Sequence, residues 1–351
     1  MTPFSHKRRK IKKIICLLLC LSLSISLAAC GESKEYQQQL FAMNTVFTIT
    51  AYGKKAKNAL NAAAATIVAI DAMCDPNVET STCYALNHAE GAQINVSGQI
   101  AEMLTDAKEI YERTDGAYDI TVYPLVDLWG FTDGRYYVPL PEEISQVLAR
   151  LCMDRLTISK FPTSGTSAVN LPDYGALSFD SCARGCAANY AIDAMRKNGV
   201  ESGLVSLSGN IQTLGMKPDR TEWSIGITDP NNPTGYLGIL SVGETAVVTT
   251  GSYQQYMTSN PKYHHIFNTK SGYPTSNGLL SVTVICPDGT YADCLSTAMF
   301  ALGQSRAINY WREYKGFEMV IINSDNEVIC TSGLLEQFDL RNSFYTLRYV
   351  E

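Results

Sequence analysis

The chain has 351 residues, with 28 Lys and Arg against 34 Asp and Glu and a formal net charge of −6. Six of the basic residues and none of the acidic ones precede residue 30, so the remainder carries 22 against 34, a balance of −12 that argues against nucleic acid as a partner. The portion beyond this leader is long enough for one large domain or two intimate lobes, and it shows neither repeats nor a long low-complexity linker.

Residues 1–29 read as a targeting segment: Lys7, Arg8, Arg9, Lys10, Lys12 and Lys13 precede an apolar core from Ile14 to Leu27, too short for an ordinary membrane span. Leu27-Ala28-Ala29-Cys30 resembles the lipobox of bacterial lipoproteins. That resemblance implies cleavage before Cys30, lipidation of its thiol, and a domain held by lipid on the extracytoplasmic face of a bacterial cell membrane. A plain secretory signal or an uncleaved anchor is the alternative. Residues 30–42 are then expected to be a lipidated tether, polar from Glu32 to Gln39, and residues 43–351 the folded domain. Eight cysteines remain beyond Cys30, without a CxxC spacing, and they read mostly as small buried hydrophobes, with disulfides left open.

Met43–Tyr52 reads as the first strand and Lys55–Met73 as an Ala-rich helix. Ser97 caps a second helix along which Ile100, Met103, Leu104, Ala107, Ile110 and Tyr111 make one apolar stripe. The segment from Asp115 to Phe131 mixes glycines, rings and carboxylates without a clear period, which suits either a loop under a planar ligand or a buried connection. A helix over Pro141–Leu151 and a strand near Arg155–Phe161 come after it. Leu177–Gly215 reads strand, helix stopped at Gly199, strand, glycine loop, with Arg184 near the helix start able to receive phosphate oxygens or to serve as a surface ion-pair residue. Strands come next near Trp223–Thr228, Tyr236–Val242 and Ala246–Thr249.

Chemistry concentrates between Tyr263 and Gly303. His264 and His265 lie in a polar loop ahead of the turn Ser271-Gly272-Tyr273-Pro274, Leu280–Cys286 is a β-branched buried strand, and Asp293 is expected to start a helix stopped at Gly303. Asp293 and Thr297, four apart, share one face of that helix and offer two hard oxygens to Mg²⁺ or Ca²⁺; a helix cap and a packed hydroxyl are the plainer alternative. A helix over Ser305–Tyr314 and strands at Phe317–Ile322, Glu327–Thr331 and Phe344–Val350 close the chain. Irregular mixing of strands and helices predicts an α+β fold, a single large domain with mixed or antiparallel sheets and flanking helices.

In this order, Met43-Asn44-Thr45, DGAYDITVYPLVDLWGF, ARGCAANYAID, LVSLSGNIQTLG, TTGSYQQY, HHIFNTKSGYP and YADCLSTAMFALG resemble the ApbE family of FAD:protein FMN transferases over nearly the whole chain beyond the leader. The resemblance implies an enzyme that binds FAD, uses Mg²⁺, and transfers FMN to a threonine hydroxyl of an acceptor protein in a membrane or extracytoplasmic redox system, releasing AMP. It further implies Asp293 and Thr297 as side-chain Mg²⁺ ligands and Ser181 as a main-chain one. Met43, Ala117, Tyr118, Asp119, Ser178 and Arg184 would line the FAD site, and His265 would act as general base or phosphate-positioning group.

Four departures accompany this likeness. Ser178 stands where the family commonly has Asp, Arg184 replaces Lys or Glu, Asn189 replaces Asp, and Asn268-Thr269-Lys270-Ser271-Gly272 replaces DPxTG. They bear on flavin binding and turnover, and leave an FAD pyrophosphatase or a lipoprotein that only binds its ligand as competing readings.

Overall fold

Nine runs of alternating or fully apolar residues assemble into one sheet in the computed structural model, which describes residues 34–161, 165–207, 209–257 and 260–351. The leader and Cys30 lie outside the described residues. The strands are β1 (Glu35–Ala42), β2 (Thr45–Tyr52), β3 (Gly203–Leu207), β4 (Asn210–Leu214), β5 (Ala246–Gly251), β6 (Leu279–Cys286), β7 (Glu318–Asn323), β8 (Glu327–Thr331) and β9 (Thr346–Val350). Their order in the sheet follows their order in the chain. Every pair is antiparallel except β8 with β9.

β1 corrects the tether expected over residues 30–42. Glu35 through Ala42 pair residue by residue with Tyr52 through Thr45, and half-buried Tyr36, Gln38 and Leu40 alternate with exposed neighbours. The polar composition of Gln37 and Gln39 hid a strand whose outer face is wet. Met43, expected in the first strand, lies instead in the hairpin turn: Met43 and Asn44 have φ of 48° and 57°, the two left-handed residues of a type I′ connection.

Three helices pack directly on this sheet, α1 (Ala56–Cys74), α3 (Ala183–Lys197) and α4 (Gly289–Leu302), and two more, α2 (Gly98–Arg113) and α5 (Gln304–Tyr314), pack on α4. Ser97 caps α2 as expected, accepting the Ile100 N–H at 3.4 Å. α4 is buried nearly all round, as its continuous apolar content requires. It packs against α2, α3 and α5 on one side and β5 and β6 on the other. Val282, Val284 and Cys286 of β6 join the helical core, whereas Ile285 faces a second core under a three-stranded sheet of residues 223–229, 232–242 and 338–340.

Residues 115–131 are not one ligand-facing loop. They form a 3₁₀ turn at Ile120–Val122 and a short helix at Tyr123–Leu128, and Trp129 and Phe131 bury themselves with Phe267, Met257 and Ile144 in a third core. The helix from Pro141 ends at Leu148, and the strand near residue 158 spans only Thr157–Lys160. All eight described cysteines are buried free thiols, so they pack as small hydrophobes.

Candidate active site

Asp288, not Asp293, starts α4: its Oδ1 accepts the Tyr291 N–H at 3.0 Å, so the Pro-Asp-Gly turn is itself the helix cap. Asp293 is thereby moved into the second turn, where it is 3% exposed. Its carboxylate reaches across to α3 and β4. Oδ2 accepts the Gly185 N–H at 2.8 Å and Oδ1 accepts Asn210 Nδ2–H at 3.1 Å.

This reach depends on two glycines at the α3–α4 crossing. A Cβ on Gly185 would overlap the Gly289 carbonyl and press on Asp293 Cβ, and one on Gly289 would overlap Gln212. The helices therefore meet backbone to backbone, close enough for a short carboxylate to bond a main-chain N–H. Because Gly185 donates to Asp293, it does not close on the carbonyl of Ser181 four residues back.

Thr297, half-buried, lies one turn beyond Asp293. Thr250 at the end of β5 fixes it: the Thr250 hydroxyl lies 3.2 Å from Thr297 Oγ1 and 2.7 Å from Ser296 Oγ, and Ser296 donates to the Asp293 carbonyl at 3.0 Å. Burial raises the Asp293 carboxyl above its usual range, while the nearby Arg184 guanidinium and the two N–H donors oppose that rise. A divalent cation would favour the ionised form further. The donor chemistry fits Mg²⁺: spare lone pairs on the Asp293 carboxylate, the Thr297 hydroxyl and the Ser181 carbonyl are all hard oxygens.

Two of the expected flavin-lining segments run side by side here. The Tyr118 hydroxyl lies 2.9 Å from Ser181 Oγ, and the Ser178 N–H donates to the Ile120 carbonyl at 3.1 Å, so residues 118–120 run beside 178–181. Tyr118 is buried, Ala117 half-buried and Ser178 buried, with Ser178 Oγ accepting the Asp180 N–H at 3.2 Å. Asp119 serves its own backbone, accepting Thr121 N–H and Oγ1–H at 2.7 and 2.6 Å; burial raises its carboxyl to about 6. Met43 N–H is tied to Asp71 Oδ1 at 2.9 Å.

The histidine loop docks on the same segment. Thr269 Oγ1 donates to the Gly116 carbonyl at 2.6 Å and Lys270 Nζ lies 2.8 Å from Asp115 Oδ2. His264 is fully used: Nδ1 accepts the Ile266 N–H at 3.3 Å, and Nε2–H donates to the Thr275 carbonyl at 3.0 Å. His265 differs. Its Nδ1 lies 3.1 Å from the Gln255 carbonyl, which can only accept, so Nδ1 carries the proton and Nε2 keeps its lone pair. The ring is half-buried by exposed area yet crowded by surrounding protein, and that desolvation, opposed by the Gln255 hydrogen bond and reinforced by Arg184, lowers this imidazole to about 4.

Arg184 in the first turn of α3 thus acts on both Asp293 and His265. The sequence named these three but not Gly185, Asn210 and Thr250, which hydrogen-bond Asp293 and Thr297. All three lay inside the motifs ARG, SGN and TTGS. A separate carboxylate group, Glu102, Asp106 and Asp288, has oxygens within 4.8 Å of one another, yet Asp288 caps α4 and Glu102 accepts the Tyr190 hydroxyl at 2.5 Å.

The ApbE family model matches residues 43–321. Among curated proteins, the FAD:protein FMN transferase of Treponema pallidum is 27% identical over 94% of this chain and 96% of its own length. That of Klebsiella pneumoniae is 30% identical over 77% of this chain and 83% of its own. The crystal structure of the ApbE protein of Thermotoga maritima superposes with a TM-score of 0.79 at 25% identity, covering 87% of this chain and 99% of that one.

Proposed function

The chain belongs to the ApbE family, and on that premise we propose that it transfers FMN from FAD to a threonine hydroxyl of an acceptor protein, with Mg²⁺, releasing AMP. The curated relatives share the name FAD:protein FMN transferase, which supports flavin transfer as the reaction. The observation that carries the metal-dependent reading is the Asp293–Thr297 pair, each oxygen held by a residue from a neighbouring strand, Asn210 and Thr250.

Asp293, Thr297 and the Ser181 carbonyl would hold Mg²⁺, which when bound neutralises charge on the FAD diphosphate. Arg184 supplies a fixed cation to the same diphosphate, and its fork geometry suits phosphate oxygens. His265 Nε2 takes the threonine proton as the threonine oxygen bonds to the FMN phosphorus. The bond from that phosphorus to the bridging oxygen breaks, and AMP leaves with the electron pair. An imidazole lowered to about 4 is neutral at physiological pH, so Nε2 holds a free lone pair, and the negative charge of a bound diphosphate would raise its basicity toward the working range.

We place this reaction outside the cytoplasm, on a lipid anchor at Cys30, because the leader ends in Leu-Ala-Ala-Cys. The acceptor would then belong to a membrane or extracytoplasmic redox system. Incubating the chain with FAD, Mg²⁺ and a threonine-bearing acceptor domain should yield covalent fluorescent flavin on the acceptor. AMP release without any acceptor labelling would instead favour an FAD pyrophosphatase, and neither product would leave a flavin-binding lipoprotein.

A further inference from the structure

Two adjacent glutamines join the metal half of the site to the histidine half. Gln254 and Gln255, both exposed, lie between β5 and a hairpin of two short strands, Tyr256–Met257 and Asn260–His264, in which Tyr256 pairs with His264. Each spends its side-chain amide on the main chain. Gln254 Nε2–H donates to the Thr249 carbonyl at 2.9 Å, and its Oε1 accepts the Gly251 N–H at 3.3 Å. The side chain therefore bridges the residues on either side of Thr250, whose hydroxyl lies 3.2 Å from Thr297 Oγ1.

Gln255 acts on the histidine. Its carbonyl accepts the His265 N–H at 3.3 Å and, on the reading of the ring given above, Nδ1–H at 3.1 Å, so one oxygen fixes both the backbone and the imidazole of that residue. Its side chain reaches the other way, Nε2–H donating to the Phe131 carbonyl at 3.1 Å. The buried Phe131 ring meets the Phe267 ring edge-on at 5.8 Å, and Phe267 lies two residues beyond His265. The imidazole is thus held within a closed circuit of contacts, from the Gln255 amide through Phe131 and Phe267 and back to the Gln255 carbonyl. A two-stranded hairpin is marginal by itself, so its place over the third core depends on ties of this kind.

We propose that Gln254 and Gln255 are positioning residues for the transfer reaction: Gln254 steadies Thr250 against Thr297, Gln255 holds His265 as the Nδ1–H tautomer, and their adjacency in the chain fixes the base relative to the metal pair. The proposal rests on the reading of His265 as the base and of Asp293 and Thr297 as metal ligands. Neither glutamine side chain bonds His265, Asp293 or Thr297, so each acts through a neighbour. Their contribution is preorganisation. A base displaced by about 1 Å can lose on the order of 100-fold in rate, and a ring in the other tautomer presents a proton where the threonine needs a lone pair.

The test compares Q254M and Q255M with the wild type as full chains labelled with ¹⁵N-histidine. Methionine keeps the length of the side chain and removes its amide. The ring-nitrogen signals of His265, identified by their loss in H265Q, should report Nδ1–H alone at neutral pH in the wild type and in Q254M, and a mixture of tautomers in Q255M. With FAD, Mg²⁺ and acceptor, Q255M should lose roughly 10–100-fold in kcat at unchanged KM for FAD and unchanged Mg²⁺ titration. Q254M should instead bind Mg²⁺ about tenfold more weakly. Both variants should melt with the wild type, because both side chains are exposed. A single Nδ1–H tautomer with undiminished kcat in Q255M, or an unchanged Mg²⁺ titration in Q254M, would overturn the proposal. The tautomer and the Mg²⁺-dependent melting are read without acceptor, so a wild type that passes both and labels no acceptor would remove the transferase reading and leave the positioning roles standing.

Discussion

Asp293 caps a helix other than its own, its Oδ2 accepting the N–H of Gly185 at 2.8 Å in the first turn of α3. Cys182, the residue in the N-cap position of α3, provides no side-chain acceptor. The carboxylate proposed for the metal is therefore also part of what holds the two helices in register.

That double duty decides what Asp293→Ala does. Removing the carboxylate strands the Gly185 N–H and the Asn210 amide in a buried place, at about 1–3 kcal/mol for such a group. Activity should fall by more than roughly 100-fold, since even an outer partner of a metal ligand is worth about 10–100-fold. Urea unfolding should show the stability loss, and Mg²⁺ should raise the melting temperature of the wild type but not of the variant. Retained activity with unchanged stability would contradict both roles.

Gly185→Ala tests the crossing itself. The added methyl would overlap the Gly289 carbonyl, so the helices must separate, and overpacking of this kind costs about 1–3 kcal/mol or more. We expect a lowered urea midpoint together with loss of Mg²⁺-dependent stabilisation. Gly134→Ala, at a turn where nothing lies within 4 Å but φ is 76°, should cost some stability through backbone strain and leave the Mg²⁺ response intact.

Thr250→Val keeps the shape of the side chain and removes the hydroxyl that contacts Ser296 and Thr297. Thr297 would then be free to rotate. The expected result is a Mg²⁺ affinity about 10–100-fold weaker, measured by titration, with maximal rate recovered at saturating metal. An unchanged Mg²⁺ titration would show that Thr297 needs no such support.

His265 titrates low, to about 4, because of burial and the Arg184 charge. For a base depressed in the fold, the stability it contributes is present above its unfolded value and is lost as pH falls through the folded one. That loss spans the interval from about 6.5 down to about 4, whereas the rate, which depends on the folded protein alone, should hold from neutral pH down to about 5 and fall toward 4. An acid limb centred at about 6.5, the value of an unperturbed imidazole, would remove His265 from the role of base.

Much of this protein was legible without coordinates where one stretch of chain carries the whole signal. The 3.6-residue stripe of α2 needed only Ser97 to fix its start, and the β-branched run of β6 needed only its flanking turns. The motif order likewise marked Asp293, Thr297, Arg184 and His265 as members of one site. β1 escaped notice because an edge strand with one wet face looks polar, and Asp288 took the cap expected of Asp293 because the turn and the helix start are the same three residues.

Local sequence thus determined most of the helical and extended segments, though not β1 or the short helix at Tyr123–Leu128, and which side chains could bear the chemistry, since period and capping act over a few residues. Only the tertiary structure decided what holds those side chains. Gly185, Asn210 and Thr250 act at sequence separations of 108, 83 and 47 from Asp293, Asp293 and Thr297 respectively. Contacts of that range exist only once the sheet has set α3 against α4, because a hydrogen bond needs its partners within about 3 Å and nothing short of the packed core brings them there.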